Sequence, residues 1–441
     1  MSNKAYKAFS LHNITNSKHY EFLKPSTKEA IQVVGNVLPF KTNNYVIDEL
    51  INWGHPEKDP MFLLTFPHKD MLLAHHYTMM HETLLRTNDK QIIKDVANKI
   101  RLTLNPHPAG QMEKNVPKLY GKKLTGIQHK YRETVLFFPS QGQTCHAYCT
   151  FCFRWPQFSG LDEYKFAMRD AEILVDYIKV HPEITDILFT GGDPMIMKTR
   201  IFAAYIDTIL NASIPHLKTI RIGTKALAYW PYRFTIDDDA FDLLELFKKI
   251  NRSGLHLSLM AHFSHPVELK TDAVKEAVAN IRATGTVVRT QSPVLKGIND
   301  HSDIWAEMWR LQVNMGMIPY YMFIPRDTGA QDFFAVTLAR AWKIFRNATS
   351  KVSGIARTVR GPSMSCTPGK VQVSGIADIG KEKVFVLNML QGRNPDWTGR
   401  PFFAKYNQDA IWIDDLEPAL NHDKFFFENE NEQNDIKKLA V

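Results

Sequence analysis

Cysteine is scarce in this chain, with four in 441 residues. So few thiols exclude a disulfide framework. The opening MSNKAYKAFSLHNITNSKHY lacks the apolar core of a secretory signal, and no apolar stretch is long enough to span a bilayer. The expected setting is the reducing cytoplasm, with no membrane partner. Runs of basic residues are missing too. The formal charge is +8, but it is scattered along the chain. That distribution argues against a nucleic-acid partner and for an enzyme with anionic ligands. What is present, 44% hydrophobic and 23% charged residues, suits a globular protein with a sizeable core. At this length the chain forms one large domain with an appendage, or two domains.

No internal repeat is visible. The first 120 residues or so carry helical signals: STKEAIQVVGNVL opens on a Ser/Thr cap, and NDKQIIKDVANKIRLTL spaces its apolar residues helically. From residue 134 onward, six short β-rich runs (TVLFFP, DILFT, TIRIG, LHLSLM, TVVRTQS and PYYMFI) alternate with longer segments of helical period. Such alternation predicts parallel strands joined by crossovers. Six units favour a closed or partly closed (β/α) barrel over a doubly wound sheet, with chemistry at the C-terminal strand ends. The tail ENENEQNDIKK is polar and expected to fray.

Three of the four cysteines, Cys145, Cys149 and Cys152, crowd into TCHAYCTFCFRW directly after the first strand run. A structural zinc site would need a fourth ligand. His146 adjoins Cys145 awkwardly for that, and no second C-x2-C pair exists. An iron–sulfur cube normally takes four thiolates, so three leave one iron open to a substrate or cofactor. The spacing favours that open cluster over zinc, and zinc over three merely packed thiols. FTGGDPM ends the second strand run, where glycines let backbone approach a ligand closely. RIGTK ends the third. Each is a common strand end when taken alone.

In this order the pieces resemble the radical S-adenosylmethionine (SAM) enzymes. HKYRETVLFF, YCTFCFR, GGDP, RIG, HFSHPVEL, QSPVLKGIND and PYYMF follow the order of the lysine 2,3-aminomutase family. WGHPEKDPMFLLTFPHKDML and NPHPAG resemble its N-terminal region, so the likeness spans residues 45–375. The resemblance implies an α/β fold, a partial (β/α)6 barrel of radical SAM type with a helical N-terminal region. It implies a [4Fe–4S] cluster on Cys145, Cys149 and Cys152, with SAM on the open iron. Gly191, Gly192 and Asp193 would meet the SAM amino group, and Arg221 and Thr224 would lie near its carboxylate. The family also uses pyridoxal 5′-phosphate (PLP). Lys370 in GPSMSCTPGKVQ matches the PLP lysine, with a solvated surface lysine as the competing explanation. Lys130 and Tyr131 fall on phosphate-binding positions, though Tyr131 as a core aromatic competes. The implied reaction is a 1,2-amino shift that makes a β-amino acid, with a flavodoxin or ferredoxin as electron donor and a homo-oligomer as the assembly. The expected division is a helical region (1–120), the barrel (121–350), and the PLP-lysine loop with an irregular C-terminal extension (351–441).

Departures from the family bear on the substrate, a small-molecule amino acid. Arg154 matches the binder of the substrate carboxylate, and a guanidinium fork suits a carboxylate bidentately. Thr134 and Thr150 stand where the lysine enzyme has arginines. The two aspartates that hold the lysine ammonium correspond to Arg326 and Arg360, by ungapped counting for the first. Strand alternation favours Arg326 over Asp327. Two arginines would repel an ammonium and attract a distal carboxylate. Glutamate or aspartate is therefore expected, against lysine, free or protein-borne, or a radical SAM enzyme without mutase chemistry. A zinc-binding nucleic-acid module is the rival from another class. The family's C-terminal zinc cysteines have no counterpart. In their place QGRNPDWTGRPFFAKYNQDAIWIDDLEPAL reads as a packed extension over the barrel mouth or an oligomer interface.

Overall fold

The computed structural model describes residues 4–160 and 165–428; the tail beyond Glu428 lies outside the described residues. One sheet of eleven strands organises the chain, and strand order in the sheet is strand order in sequence. The strands are β1 (Ile127–Tyr131), β2 (Thr134–Phe137), β3 (Asp186–Phe189), β4 (Thr219–Thr224), β5 (His256–His262) and β6 (Val287–Pro293). They continue with β7 (Ile318–Phe323), β8 (Arg360–Ser365), β9 (Gly369–Ile379), β10 (Glu382–Gly392) and β11 (Pro401–Lys405). Strands β2 to β8 pair in parallel, while β1 and β9 to β11 pair antiparallel with their neighbours. This is an α/β fold. The six apolar runs read from the sequence are β2 to β7.

The helices divide into two sets. An N-terminal set comprises α1 (Pro25–Val37), α2 (Ala74–Arg86) and α3 (Lys90–Thr103). Buried Arg101 donates from Nε to the Val37 carbonyl (2.7 Å) and from Nη2 to that of Asn36 (2.9 Å), satisfying carbonyls at the buried C-terminal end of α1. The crossover helices are α4 (Ala171–Lys179), α5 (Thr199–Asn211), α6 (Ala240–Arg252), α7 (Asp272–Ala283), α8 (Ser302–Asn314) and α9 (Leu338–Ser350). Their apolar residues recur at helical spacing. Helix α6, for example, buries Leu243, Leu246, Phe247 and Ile250. Helix α7 starts where the Thr271 side chain accepts the Val274 N–H. No described helix is long and apolar enough to cross a membrane.

The sheet is curled. Strands β1 and β9 are eight places apart, roughly 38 Å in a flat sheet. Yet the Lys370 ammonium on β9 lies 5.9 Å from the Tyr131 ring on β1, and Lys130 of β1 donates to the Cys366 carbonyl beyond β8. Only a rolled sheet lets these ends meet across a shared lumen.

The C-terminal region differs from expectation. The extension is not irregular, since residues 369–392 form a long hairpin that joins the sheet. Its alternation is plain in retrospect: Val371 and Val373, then Val384, Phe385, Leu387 and Met389, are buried on either side of a turn at Gly380 (φ 64°). Lys370 therefore stands at the start of a paired strand, opposite Ser365, and not in a loop. Arg393, just past β10, stitches the hairpin to the N-terminal region. It donates to the carbonyls of Thr367 (2.7 Å) and Lys114 (3.1 Å) and to Asn115 Oδ1 (2.5 Å). Arg393→Ala leaves those acceptors unpaired and should cost about 1–3 kcal/mol, read as a lower midpoint of thermal or urea unfolding.

Candidate active site

Parallel pairing of β2 to β8 puts all their C-terminal ends on one edge, and most of the candidate residues gather there. The cysteine loop leaves the end of β2. It is clamped from the N-terminal region: Lys41 Nζ donates to the Cys145 carbonyl (2.7 Å), and Tyr6 (2.7 Å) and Asn43 (3.1 Å) donate to that of His146. Thr150, where the family has an arginine, spends its hydroxyl on the Leu63 carbonyl (2.7 Å). Cys145, Cys149 and Cys152 are free thiols. Burial raises all three, Cys149 to about 12, and each of Cys145 and Cys149 is raised further by its neighbouring thiols. Among the described residues no three His, Cys, Asp or Glu side chains converge on a point fit for a single metal ion. His146 packs edge-on against Tyr6, 5.6 Å between ring centroids, and burial lowers it to about 3.

The end of β3 is pressed against this loop. A Cβ on Gly192 would lie 2.5 Å from the Thr144 backbone N and O, and Gly191 adopts φ 131°. Glycine is needed at 192 because two backbones touch there. Asp193 is buried; its carboxylate accepts from Thr224 Oγ1 (2.7 and 2.9 Å), Met195 N (3.0 Å) and Lys225 N (2.8 Å). Thr224 and Asp193 thus staple β4 to β3 beneath the cysteines. Arg221 faces elsewhere. Its Nε donates to Asp186 Oδ1 (2.9 Å), and Thr134 Oγ1 donates to the same carboxylate (3.0 Å). Thr134 and Arg221 are therefore one ion-pair cluster in the wall of the lumen.

Lys370 lies in that lumen. Its Nζ sits 4.1 Å from the Tyr321 ring centroid and 3.3 Å from Gln391 Oε1. Burial, reinforced by the positive charges of Arg221, Arg360 and Arg326, lowers it to about 8. Lys130 is lowered to about 7, again by burial first, with Arg326, Arg393 and Lys370 adding to it. Both ammonium groups flank the Tyr131 ring, Lys130 at 5.4 Å. Arg154 stacks over Phe138 (4.6 Å) and Phe153 (4.8 Å), and Arg326 lies over Phe153 from 5.0 Å. Arg326 also donates from Nη2 to the Ser365 carbonyl (2.5 Å). Arg154 Nη1 and Arg326 Nε are buried without a partner. Asp327 turns to Asn105, which donates to its Oδ2 (2.9 Å), while its Oδ1 is buried unpartnered. Strand β7 ends at Phe323, so loop contacts and not strand alternation set the direction of Arg326.

Arg360 meets the surroundings of Lys370 at Tyr321, whose Oη accepts from Arg360 Nη1 (3.5 Å). It is exposed, at the N-terminal end of β8, with its guanidinium 5.2 Å from the Tyr320 ring. Among the described residues no contact joins it to Arg326. Four residues at the site were not singled out from the sequence: Lys41, Lys225, Tyr229 and Glu268. Lys225 Nζ pairs with buried Glu268 (2.7 Å), and Tyr229 lies 3.7 Å from Cys149 Sγ. Lys225 and Glu268 sit inside the quoted RIGTK and HFSHPVEL, but nothing in spacing alone reveals their pairing.

The thiol loop and the buried amine both belong to one curled α/β sheet. No protein-family model matches the chain. A protein of Aquifex aeolicus (strain VF5) named as an L-lysine 2,3-aminomutase is 30% identical over 403 residues, covering 91% of this chain and 94% of the relative. The L-lysine 2,3-aminomutase of Escherichia coli (strain K12) is 29% identical over 255 residues, 56% of this chain and 69% of its own. That of Haemophilus influenzae is 30% identical over 240 residues, 53% and 67%. Among solved structures, Streptococcus suis SuiB bound to S-adenosylmethionine aligns over 61% of this chain and 55% of its own at 13% identity with a TM-score of 0.35, too low to bear on function. The chain belongs to the lysine 2,3-aminomutase family.

Gly192→Ala should force the cysteine loop off the end of β3. The expected result is a folded chain, destabilised by about 1–3 kcal/mol, that binds markedly less iron and sulfide on anaerobic reconstitution than the parent.

Proposed function

We propose that this chain is a radical SAM, PLP-dependent amino-acid 2,3-aminomutase, an isomerase built on a partial (β/α)6 barrel. One observation carries this: electrostatic proximity links the cysteine loop to Lys370 through two arginines. Arg154, two residues past Cys152, and Arg326 lie over the same Phe153 ring, at 4.8 and 5.0 Å, and the Arg326 charge in turn lowers both Lys130 and Lys370. Cysteine loop and amine therefore face one reaction space. The three soft, free thiols fit the irons of a [4Fe–4S] cluster. When bound, the cluster with SAM supplies a carbon-centred radical that takes a hydrogen atom, and PLP supplies an electrophilic carrier for the migrating amino group.

The remaining work belongs to the chain. Lys370, lowered to about 8, offers a neutral amine for the PLP aldehyde near physiological pH. Lys130 and Tyr131 lie within reach for its phosphate. Arg154 presents an unpartnered N–H to a substrate carboxylate. Phe138, Phe153, Tyr321 and Phe323 line the approach with apolar surface that keeps water from a reactive radical. Asp193 and Thr224 support the SAM end from beneath; Arg221, already paired with Asp186, serves the wall of the lumen. The helical region (1–120) clamps the cysteine loop of the barrel (121–350), and residues 351–441 bring Lys370. A one-electron donor of the flavodoxin or ferredoxin class and a reducing cytoplasm complete the scheme.

For the substrate, the relatives' names favour L-lysine. Asp327 supports this, with a buried carboxylate oxygen free to take an ammonium. Arg360, though exposed, bonds to Tyr321 beside Lys370 and so stays with the dicarboxylate reading. Glutamate or aspartate stays the second reading, favoured by the orphan Arg326 Nε beside Arg154.

Two experiments test these assignments. Reconstituted protein, given SAM, PLP and dithionite without oxygen, should convert L-lysine to a β-amino acid resolved by chromatography and mass. Product from glutamate or aspartate alone would overturn the lysine assignment, and intact SAM in every tube would overturn the aminomutase. Independently, capture of PLP as a covalent visible-absorbing adduct should speed up as pH rises, levelling off near 8 instead of near the ordinary lysine value. Below that pH the amine is protonated and unreactive. Lys370→Ala should abolish the adduct, and its persistence would rule Lys370 out.

A further inference from the structure

Tyr229 is 1% exposed, and among the described residues its hydroxyl has one partner, the Cys149 thiol, whose Sγ–H donates to Tyr229 Oη at 3.7 Å. It ends a short helix, Ala226–Tyr229, that directly follows β4. Three contacts hold it there. The Asn43 amide donates to the Tyr229 carbonyl (2.9 Å) and to the His146 carbonyl in the cysteine loop (3.1 Å), tying the two backbones together. The Lys225 ammonium lies 4.5 Å from the ring, and Lys225 is anchored by Glu268. Phenylalanine would fill the same space without a buried hydroxyl to satisfy. The one thing the hydroxyl adds is a partner for that sulfur: it accepts from the free thiol, and it becomes the donor once the sulfur is a metal-bound thiolate with no proton to give.

We propose that Tyr229 is a positioning residue that raises the reduction potential of a cluster held by Cys145, Cys149 and Cys152, through its O–H···S bond to Cys149. This rests on the cluster assigned under the proposed function. One-electron reduction, by a donor of the flavodoxin or ferredoxin class or by dithionite, adds one negative charge that is shared with the thiolate sulfurs, and no proton moves. A hydrogen-bond donor at one of those sulfurs stabilises the added charge, and such bonds are among the levers that set cluster potentials. The nearby Lys225 charge is largely matched by Glu268. Toward a thiolate sulfur the phenol can only donate, and among the described residues no other partner draws it elsewhere.

The test compares reconstituted wild type with Tyr229→Phe. Iron and sulfide are counted, and the clusters are then poised at a series of electrode potentials and read by absorbance and electron paramagnetic resonance. With four irons per chain in both, the reduced-to-oxidised ratio at a fixed potential should fall roughly fivefold in the variant, a fraction of one hydrogen bond to a charged acceptor. An equal or higher ratio would overturn the inference while leaving the cluster assignment standing. Wild type that assembles no four-iron cluster would overturn both. If the phenylalanine chain loses its cluster, a fluorinated tyrosine at position 229, of the same shape and a stronger donor, should move the ratio upward; no upward shift would overturn the inference.

Discussion

Parallel pairing of seven consecutive strands is the constraint on which the site depends. It places the ends of β2, β3, β4, β5 and β7 on one edge, so residues far apart in sequence become neighbours there. Curling then brings β1 back to β9. Without the curl, Lys130 and Tyr131 would be remote from Lys370, and the lumen would be an open face.

Within that lumen the charges are unequally matched. The acids are already engaged: Asp186 holds Arg221, Glu268 holds Lys225, and Asp193 accepts from Thr224 and from backbone. Among the described residues, Lys130, Lys370, Arg154 and Arg326 crowd together with no carboxylate of comparable proximity except Asp327. Burying positive charge this way is unfavourable, and it shows as two depressed lysines and two orphan guanidinium N–H groups. A site so arranged is completed by anionic ligands, and a cofactor phosphate together with a substrate carboxylate would supply them.

Sequence reading reached the strands because each apolar run is bounded by turns and followed by a helical period, as in DILFT before TRIFAAYIDTIL. It misses the C-terminal hairpin because Lys370 is placed in a loop and the extension after it is read as irregular, although Val371 and Val373 alternate there. Arg326 and Arg360 looked like a pair on counting alone. Among the described residues no contact joins them, since Arg326 lies past the end of β7 and turns in toward Ser365 while Arg360 begins β8 and bonds to Tyr321, yet both charges act on Lys370. Gly192 was read as room for a ligand, whereas the space its missing Cβ leaves is filled by Thr144.

The sequence by itself determined the three-thiol spacing, the order of strands and helices, and membership of an enzyme family, because each is written in local pattern or in residue order. Only the tertiary structure decided which charges are spent and which are free. Whether an arginine is paired, stacked on an aromatic ring or left with an orphan donor depends on neighbours brought from elsewhere in the chain. The same holds for Tyr229, an ordinary aromatic in sequence, whose hydroxyl gains a function only when the end of β4 meets the loop after β2.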